Sequence, residues 1–225
     1  MHDDMSHARR SETDVGAPGL NPGAETIGRA LDVIIAVVAL FFLLPIMIAV
    51  AVAVLLTDGG PVVFAHRRIG RDGKEFNCYK FRSMVKDSEE RLARLLSSDR
   101  EAFMEWQANH KLRNDPRITR IGAFLRKSSF DELPQIFNVL VGEMSLVGPR
   151  PIVRSEVHHY GRYFAHYCAI RPGITGLWQI SGRSNTDYRR RVALDVAYCR
   201  SKCLGLDMRI LVMTVPAILL SRGAY

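Results

Sequence analysis

The longest apolar segment of the chain runs from Val33 to Leu56 and contains no charged residue. As a straight helix it would reach about 36 Å, enough to cross a hydrocarbon core of about 30 Å. A cleavable signal peptide is a poor match, because the segment is too long, starts too late and is followed by TDGGPVVF. Pro45 lies in its middle, where the ring and the missing N–H disfavour a regular helix. The pattern predicts a membrane element with two open topologies, a kinked span and a re-entrant hairpin turning at Leu44 and Pro45.

Basic residues follow the apolar segment more closely than they precede it. Loops rich in Lys and Arg stay on the cytoplasmic side of a bacterial membrane. We therefore expect the larger, C-terminal part of the chain on the cytoplasmic face. The basic residues that follow are Arg67, Arg68, Arg71, Lys74 and Lys80.

The rest of the chain contains shorter segments with the hydrophobic periodicity of strands or of helices. Residues 61–84 contain β-type runs around a polar turn at 71–74, which predicts a hairpin. Residues 85–112 have apolar positions at helical spacing among charges, which predicts one long or two broken amphipathic helices. A helix is also predicted from about Pro134 to Val141, and the chain beyond it reads as shorter and loop-rich elements. The uncharged stretch from Ile210 to Leu220 is too short to span a membrane, so we expect it at the interface or against the domain.

These patterns together predict a mixed α/β fold dominated by helices. Residues 1–26 are rich in Gly, Pro and mixed charges, which is typical of a disordered tail. Residues 27–57 form the predicted membrane helix, broken at the proline if it is re-entrant. Residues 58–225 are too few for two large domains, so we expect one compact cytosolic domain with interfacial amphipathic helices.

Charge narrows the choice of partners. The chain has 31 Lys and Arg against 23 Asp and Glu, a net charge of +8, which suits phosphate-bearing partners or an anionic membrane surface. Nucleic acid would satisfy the same charge, but the sequence has no recognition helix, RRM-like aromatic signature or zinc module, so we expect no nucleic-acid partner. Walker A, GxGxxG and GxSxG motifs are also missing from the sequence.

The four cysteines form no CxxC pair, which indicates free thiols.

The stretch from Leu125 to Pro151 carries the strongest chemical signal. The adjacent carboxylates Asp131 and Glu132 precede the predicted Pro134 helix, and Arg126 lies a few residues upstream. Carboxylates, cations and a helix start in one place suit a site that handles phosphate and a divalent metal. A purely structural alternative is a capping box, in which Ser129 and Glu132 satisfy free backbone donors of the helix.

Three rigid turns further on each display an arginine, namely residues 148–151, 171–176 and 181–183. Glycine in such turns permits close backbone approach to a ligand, and arginine binds phosphate oxygens in bidentate fashion. Solvated surface turns are the alternative for each one taken singly. Lys80 alternates with aromatic residues as on a strand with one charged face, and an ordinary exposed strand explains it equally well.

Several long segments in fixed order resemble the bacterial sugar transferase family, the monotopic polyprenyl-phosphate phosphoglycosyl transferases. They are YKFRSM, DPRITRIGAFLRKSSFDELPQIFNVLVGEMSLVGPRP and RPGITGLWQISGR, together with the proline-broken apolar segment. The resemblance extends from about residue 27 to the end. HRRIG, LWQISGR and the terminal SRGAY are most similar to the undecaprenyl-phosphate galactose phosphotransferases that begin exopolysaccharide synthesis.

The resemblance implies a re-entrant helix broken at Leu44 and Pro45, Leu44 standing where some members carry Ser. It also implies roles for the polar residues: Asp131 as nucleophile, Glu132 as a ligand to Mg²⁺, and Arg126 and Arg150 as phosphate binders. The turn and strand cations complete the set of candidate substrate-binding residues, namely Lys80, Arg126, Arg150, Arg171 and Arg183.

The implied reaction moves a hexose 1-phosphate from a UDP-sugar to undecaprenyl phosphate through an aspartyl-phosphosugar intermediate, with release of UMP. Galactose 1-phosphate is the expected group and glucose 1-phosphate the alternative. The implied location is the bacterial inner membrane, with the catalytic domain on its cytoplasmic face in contact with the lipid bilayer. Association into a homo-oligomer is compatible with the sequence. The alternative function is a non-catalytic, membrane-anchored scaffold for polysaccharide assembly.

Overall fold

The computed structural model describes residues 22–109, 112–182 and 187–219. The predicted tail up to residue 21 and the candidate residue Arg183 lie outside these ranges. The described part is the expected mixed α/β fold, in which helices dominate. Its helices and strands in chain order are α1 Pro22–Asp58, β1 Val63–Ile69, β2 Glu75–Phe81, α2 Ser88–Ser98, α3 Arg100–Asn109, α4 Arg120–Ser128, α5 Gln135–Val141, β3 Ser145–Val147, α6 Val157–Tyr160, α7 Phe164–Cys168, β4 Gly173–Thr175, α8 Leu177–Ile180, α9 Tyr188–Ser201 and α10 Leu204–Leu219.

Helix α1 is the element long and apolar enough to cross a membrane among the described residues. It begins at Pro22, so residues 22–26 are helical although they were assigned to the tail. The helix is described as one element through Leu44 and Pro45, and both residues are exposed. A break into two helices at this point therefore stays a prediction.

Both halves of α1 pack against the domain. In the first half, Asp32 Oδ1 accepts a hydrogen bond from the backbone N–H of Leu146 at 3.1 Å, and Ala36 is completely buried. In the second half, Val50 and Val54 belong to a core cluster that includes Leu125 of α4. In the middle of the helix, Leu40 and Leu43 also pack against the core clusters, whereas Phe41 and Phe42 on the other face are exposed. The domain therefore contacts one face of α1 in both of its halves.

The predicted hairpin is confirmed. Strands β1 and β2 pair in antiparallel register around a turn at residues 71–73, with Arg68 opposite Phe76 and Phe64 opposite Lys80. Since strand side chains alternate between faces, Arg68 shares the face of Phe76, Cys78 and Lys80. This face packs towards the interior, where Phe76 and Cys78 are buried.

Strands β3 and β4 form a parallel pair, with Ser145 beside Gly173 and Val147 beside Thr175. The backbones meet so closely that a Cβ on Gly148 would collide with Gly173, and one on Gly176 would collide with the carbonyl of Gly148. The glycines of these turns therefore permit backbone-to-backbone packing. Gly173 also lines the cleft that contains Lys80 and Glu132, so close approach to a ligand stays a prediction for these turns.

The C-terminal part contains more helix than the sequence patterns predicted. Helix α9 has 14 residues and α10 has 16, so the expectation of shorter, loop-rich elements beyond residue 141 was wrong. Helix α10 packs on the domain through Ile210, which is completely buried. The two-helix alternative for residues 85–112 is confirmed by α2 and α3.

Candidate active site

Helix α4 is held against the end of the hairpin by a glycine and an arginine on the same helical face. A Cβ on Gly122 would collide with the backbone carbonyl of Ser83, so only glycine permits this close contact. One turn later, Arg126 Nε donates to Ser83 Oγ at 2.9 Å. The Arg126 guanidinium is thus fixed near the C-terminal end of α4, and burial is the main reason its pKa lies below the usual range.

The two candidate carboxylates lie in the 3₁₀ turn Phe130–Glu132, which directly follows α4. Ser129 ends α4 in the left-handed conformation with φ of 60°, and its side chain makes no capping hydrogen bond. The capping-box alternative for Ser129 and Glu132 is therefore wrong. The Glu132 carboxylate instead turns towards the hairpin, where it meets Lys80.

Lys80 lies between the two carboxylates. Its ammonium is 2.5 Å from Glu132 Oε1 and 3.9 Å from Asp131 Oδ2. The strand places Lys80 there because Asn138 of α5 fixes the neighbouring backbone. The Tyr79 N–H donates to Asn138 Oδ1 at 3.0 Å, and Asn138 Nδ2 donates to the carbonyl of Asn77 at 2.7 Å. A completely buried amide thus aligns β2 with α5, the helix that follows the 3₁₀ turn Phe130–Glu132.

Asp131 is the more enclosed of the two carboxylates, with 13 % of its side chain exposed against 33 % for Glu132. Burial raises the pKa of Asp131 to about 6, and the charge of Glu132 acts in the same direction. The nearby charges of Lys80 and Arg126 oppose this rise. At neutral pH the carboxylate is therefore mostly ionised, poorly solvated and close to two cations, which is a suitable state for a nucleophile.

A narrow cleft of about 30 Å³ extends from these residues, and its lining includes Lys80, Glu132 and Arg150. Sequence reasoning missed Arg68, which also lines this cleft and donates from Nη1 to the carbonyl of Pro151 at 3.2 Å. The signal was available in the hairpin register, which puts Arg68 on the face of Lys80. The cleft is far smaller than a pocket for a whole ligand. Its cationic lining is instead suited to binding a single anionic group such as a phosphate.

The position of Arg150 is fixed by aromatic and acidic neighbours. Its guanidinium carbon lies 5.4 Å from the ring centre of Trp178, and that of Arg191 lies 4.5 Å from the same ring. Behind them Asp195 is 1 % exposed and accepts a hydrogen bond from the Tyr160 hydroxyl at 2.7 Å. Burial raises the pKa of Asp195 to about 7, against the effects of Tyr160, Arg191 and Arg150.

Arg171 lies elsewhere, at the N-terminal end of α1. Its Nη1 is 3.2 Å from Glu25 Oε1, and its Nε donates to the carbonyl of Gly142 at 2.9 Å. Arg71 also pairs with Glu25. The structure therefore brings Lys80, Arg126 and Arg150 around the carboxylates or the cleft, whereas Arg171 joins α1 to the domain.

The donor chemistry of the site fits Mg²⁺ bound in part by substrate. Within the described ranges, no three His, Cys, Asp or Glu side chains are grouped closely enough to enclose a metal ion. Mg²⁺ commonly uses one or two protein carboxylates and completes its shell with water and phosphate oxygens. Glu132, together with Asp131, supplies such oxygens, but the Lys80 ammonium contacts the same Glu132 oxygen that an ion would use.

The comparisons with known proteins agree on one family. The family model described as bacterial sugar transferase matches residues 23–221. An exopolysaccharide production protein, ExoY, of Rhizobium meliloti is 47% identical over 197 residues, which cover 88% of this chain and 87% of the relative.

Two longer relatives match the same share of this chain. An undecaprenyl-phosphate galactose phosphotransferase of Salmonella typhimurium is 49% identical, and an uncharacterized sugar transferase of Haemophilus influenzae is 50% identical, each over 197 residues and 88% of this chain. The aligned region spans 41% and 42% of these two relatives, respectively.

Proposed function

Because this chain belongs to the bacterial sugar transferase family, we propose that it transfers a hexose 1-phosphate from a UDP-sugar to undecaprenyl phosphate and releases UMP. The observation that carries the proposal is the position of Asp131, a largely enclosed carboxylate near Lys80 and Arg126. Its neighbour Glu132 lines the cationic cleft. A phosphate-transfer site needs a nucleophile together with cations that stabilise the charge of the leaving phosphate.

The chemistry proceeds by two displacements. An Asp131 carboxylate oxygen attacks the sugar-bearing phosphorus, the bond to the bridging oxygen breaks, and UMP leaves with the bonding electrons. The lipid phosphate then attacks the same phosphorus, which frees Asp131 and forms the lipid diphosphate sugar. Two steps at one carboxylate replace a direct reaction between two anionic substrates.

The cations around the carboxylates offset the repulsion between a carboxylate and a doubly charged diphosphate. The Lys80 ammonium pairs with Glu132 and lies 3.9 Å from Asp131, while Arg68 and Arg150 line the cleft. Mg²⁺ held by Glu132, with Asp131 nearby, would supply further neutralisation of the diphosphate.

The contacts of α1 support a re-entrant position of the helix in the cytoplasmic leaflet of the inner membrane. Near its start Glu25 pairs with Arg171, and near its end Val54 packs in the cluster of Leu125. A straight helix of this length would reach about 55 Å, so a span would carry one end far from the domain. Contact at both ends favours a helix that enters and leaves on the domain's side.

Galactose is the proposed sugar because the Salmonella relative is named for it, and glucose is the alternative. The role proposed for this chain is the first membrane step of exopolysaccharide synthesis, in keeping with the name of the Rhizobium relative. The main competing function is a non-catalytic scaffold for polysaccharide assembly, which would not need an enclosed carboxylate among cations.

The test measures UMP release from a panel of UDP-sugars by protein in nanodiscs, with and without undecaprenyl phosphate and Mg²⁺. We expect lipid- and Mg²⁺-dependent UMP from one sugar, and loss of at least a thousandfold in Asp131→Asn. Asp72→Asn, at an exposed position in the hairpin turn, is the matched control and should keep full activity.

A folded protein that releases no UMP from any donor would support the scaffold instead. The intermediate has its own readout, exchange of labelled UMP into UDP-sugar without any lipid acceptor. Absence of exchange in a protein that otherwise makes product would rule out the aspartyl-phosphosugar.

A further inference from the structure

An apolar groove of about 420 Å³ lies between the second half of α1 and the hairpin. Helix α1 contributes Met47, Ile48 and Ala51, and the hairpin contributes Tyr79 and Phe81. Apart from Tyr79 these side chains carry no polar group. A nucleotide sugar would find almost no hydrogen-bond partner in such a groove, so its occupant must be apolar.

The groove and the catalytic cleft share their dividing wall. On β2, Lys80 lines the cleft, whereas its neighbours Tyr79 and Phe81 line the groove, because strand side chains alternate. The same division recurs after the catalytic turn, where Glu132 lines the cleft and Pro134 the groove. A molecule seated in the groove is thus separated from the catalytic carboxylates by the thickness of one strand and one turn.

We propose that this groove holds the first isoprene units of the polyprenyl phosphate acceptor, and thereby places the lipid phosphate beside Lys80 and Asp131. The inference rests on the proposed function and names a binding site for its second substrate. An amphiphile with one anionic end and a long apolar tail matches a cationic cleft next to an apolar groove.

The size and walls of the groove favour this occupant. Its α1 wall belongs to the apolar segment assigned to the membrane, so the groove opens where a lipid would arrive. A volume of about 420 Å³ holds several isoprene units but not a whole undecaprenyl chain, whose remainder would stay in the bilayer. The rigid aromatic side chains of Phe81 and Phe137 provide walls against which methyl branches pack well.

The experiment compares two Ala→Phe substitutions on the same half of α1 in nanodisc-held protein. Ala51 lines the groove, whereas Ala49 is exposed and does not line it. We expect Ala51→Phe to raise the KM for undecaprenyl phosphate about tenfold, because the ring fills space that an isoprene unit would occupy. The KM for the UDP-sugar and the lipid-independent exchange of UMP should stay within twofold, and Ala49→Phe should leave all three unchanged.

A second pair guards against misfolding caused by the larger side chain. Phe137→Ala removes a half-exposed wall of the groove, and Phe103→Ala removes a similarly exposed ring from α3. Only Phe137→Ala should raise the KM for the lipid. The preference for undecaprenyl phosphate over an alkyl phosphate with a straight saturated chain should fall in the same variant.

The outcomes separate the two proposals. Unchanged lipid KM in both groove variants, with normal activity, would overturn the groove assignment and leave the reaction intact. An equal rise in KM for branched and straight-chain acceptors would show that the groove does not distinguish isoprene units from alkyl chains, and this overturns the assignment to isoprene units. No lipid-dependent UMP from the wild-type protein would remove the proposed function itself, and the groove assignment with it.

Discussion

The Lys80 ammonium lies 2.5 Å from Glu132 Oε1, although the two residues are 52 positions apart in the sequence. Both side chains are partly exposed, so the pair adds little to the free energy of folding. Its contribution is positional, because it joins the hairpin to the turn that carries Asp131 and Glu132. Lys80 also lies within 4 Å of Asp131 and lowers the pKa of that carboxyl against the effect of burial.

Replacing Lys80 should slow the first half-reaction and shift its pH dependence. Lys80→Met removes the main charge that opposes the effect of burial on Asp131, so the pKa of Asp131 should rise above about 6. Asp131 must be ionised to attack, and the acid limb of UMP release should therefore move to higher pH. We expect a rate about a hundredfold lower at pH 7, with partial recovery in Lys80→Arg. An unchanged pH profile in Lys80→Met would contradict this role.

Ser83 should act on catalysis through Arg126. Its hydroxyl accepts the hydrogen bond from Arg126 Nε, and Ser83→Ala leaves that guanidinium less firmly oriented. A hydrogen bond of this kind contributes about 1 kcal/mol, so kcat/KM for the UDP-sugar should fall about fivefold. Ser83→Thr keeps the hydroxyl and should retain most of the activity. Equal losses in both variants would point to packing rather than to the hydrogen bond.

Local patterns predicted the elements whose evidence lies in consecutive residues. The hairpin, the pair α2 and α3, and α5 all follow from strand or helix periodicity within one stretch. Helix α9 was missed because charged side chains dominate its first turn and its buried face includes Asp195 as well as Val192 and Val196. A polar residue on the buried face weakens an apolar stripe that would otherwise indicate a helix.

Local periodicity does not predict contacts between segments that are far apart in the sequence. The approach of Lys80 to Glu132 depends on the hairpin register and on the docking of Asn138 against β2. Arg171 has the same local motif as a phosphate-binding turn, yet its partner Glu25 is 146 positions away. Short motifs therefore named candidate residues without fixing which partner each one contacts.

Asp195 should make the free energy of unfolding fall as the pH rises. A carboxylate whose pKa is lowered in the fold has the opposite effect. Its pKa is raised from 3.8 to about 7. Between about pH 4 and pH 7, Asp195 is therefore protonated in the folded state and ionised in the unfolded state. The stabilising contribution is complete below about pH 4 and is lost as pH rises through 7. Asp195→Asn removes this dependence while keeping an acceptor for Tyr160.

The difference in Tm between Asp195→Asn and the wild-type protein should therefore grow in favour of the variant from pH 5 to pH 8. The change corresponds to roughly 1–3 kcal/mol of the free energy of unfolding. Thermal unfolding in detergent at both pH values measures it, and Asp72→Asn serves as the exposed control. A constant difference across this pH range would mean that Asp195 is already ionised in the fold.

The two ends of α1 should be accessible from the same side of the membrane. Glu25 near the start pairs with Arg171, and Val54 near the end packs with Phe81, so one domain holds both ends. In a variant with Cys168→Ser and Cys203→Ser, cysteines introduced by Thr26→Cys and Leu56→Cys should both react with an impermeant maleimide in inside-out vesicles. Neither should react in right-side-out vesicles.

Phe42→Cys provides the control for burial in lipid. Phe42 is 70 % exposed in the protein and lies in the middle of α1, so bilayer and not protein should protect a cysteine there. Labelling should appear only after detergent is added. If Thr26→Cys reacted only in right-side-out vesicles, α1 would be a span, and its N-terminal end could not keep the contact between Glu25 and Arg171. The re-entrant position requires that contact to survive in the membrane, because it returns the start of the helix to the face where the catalytic turn lies.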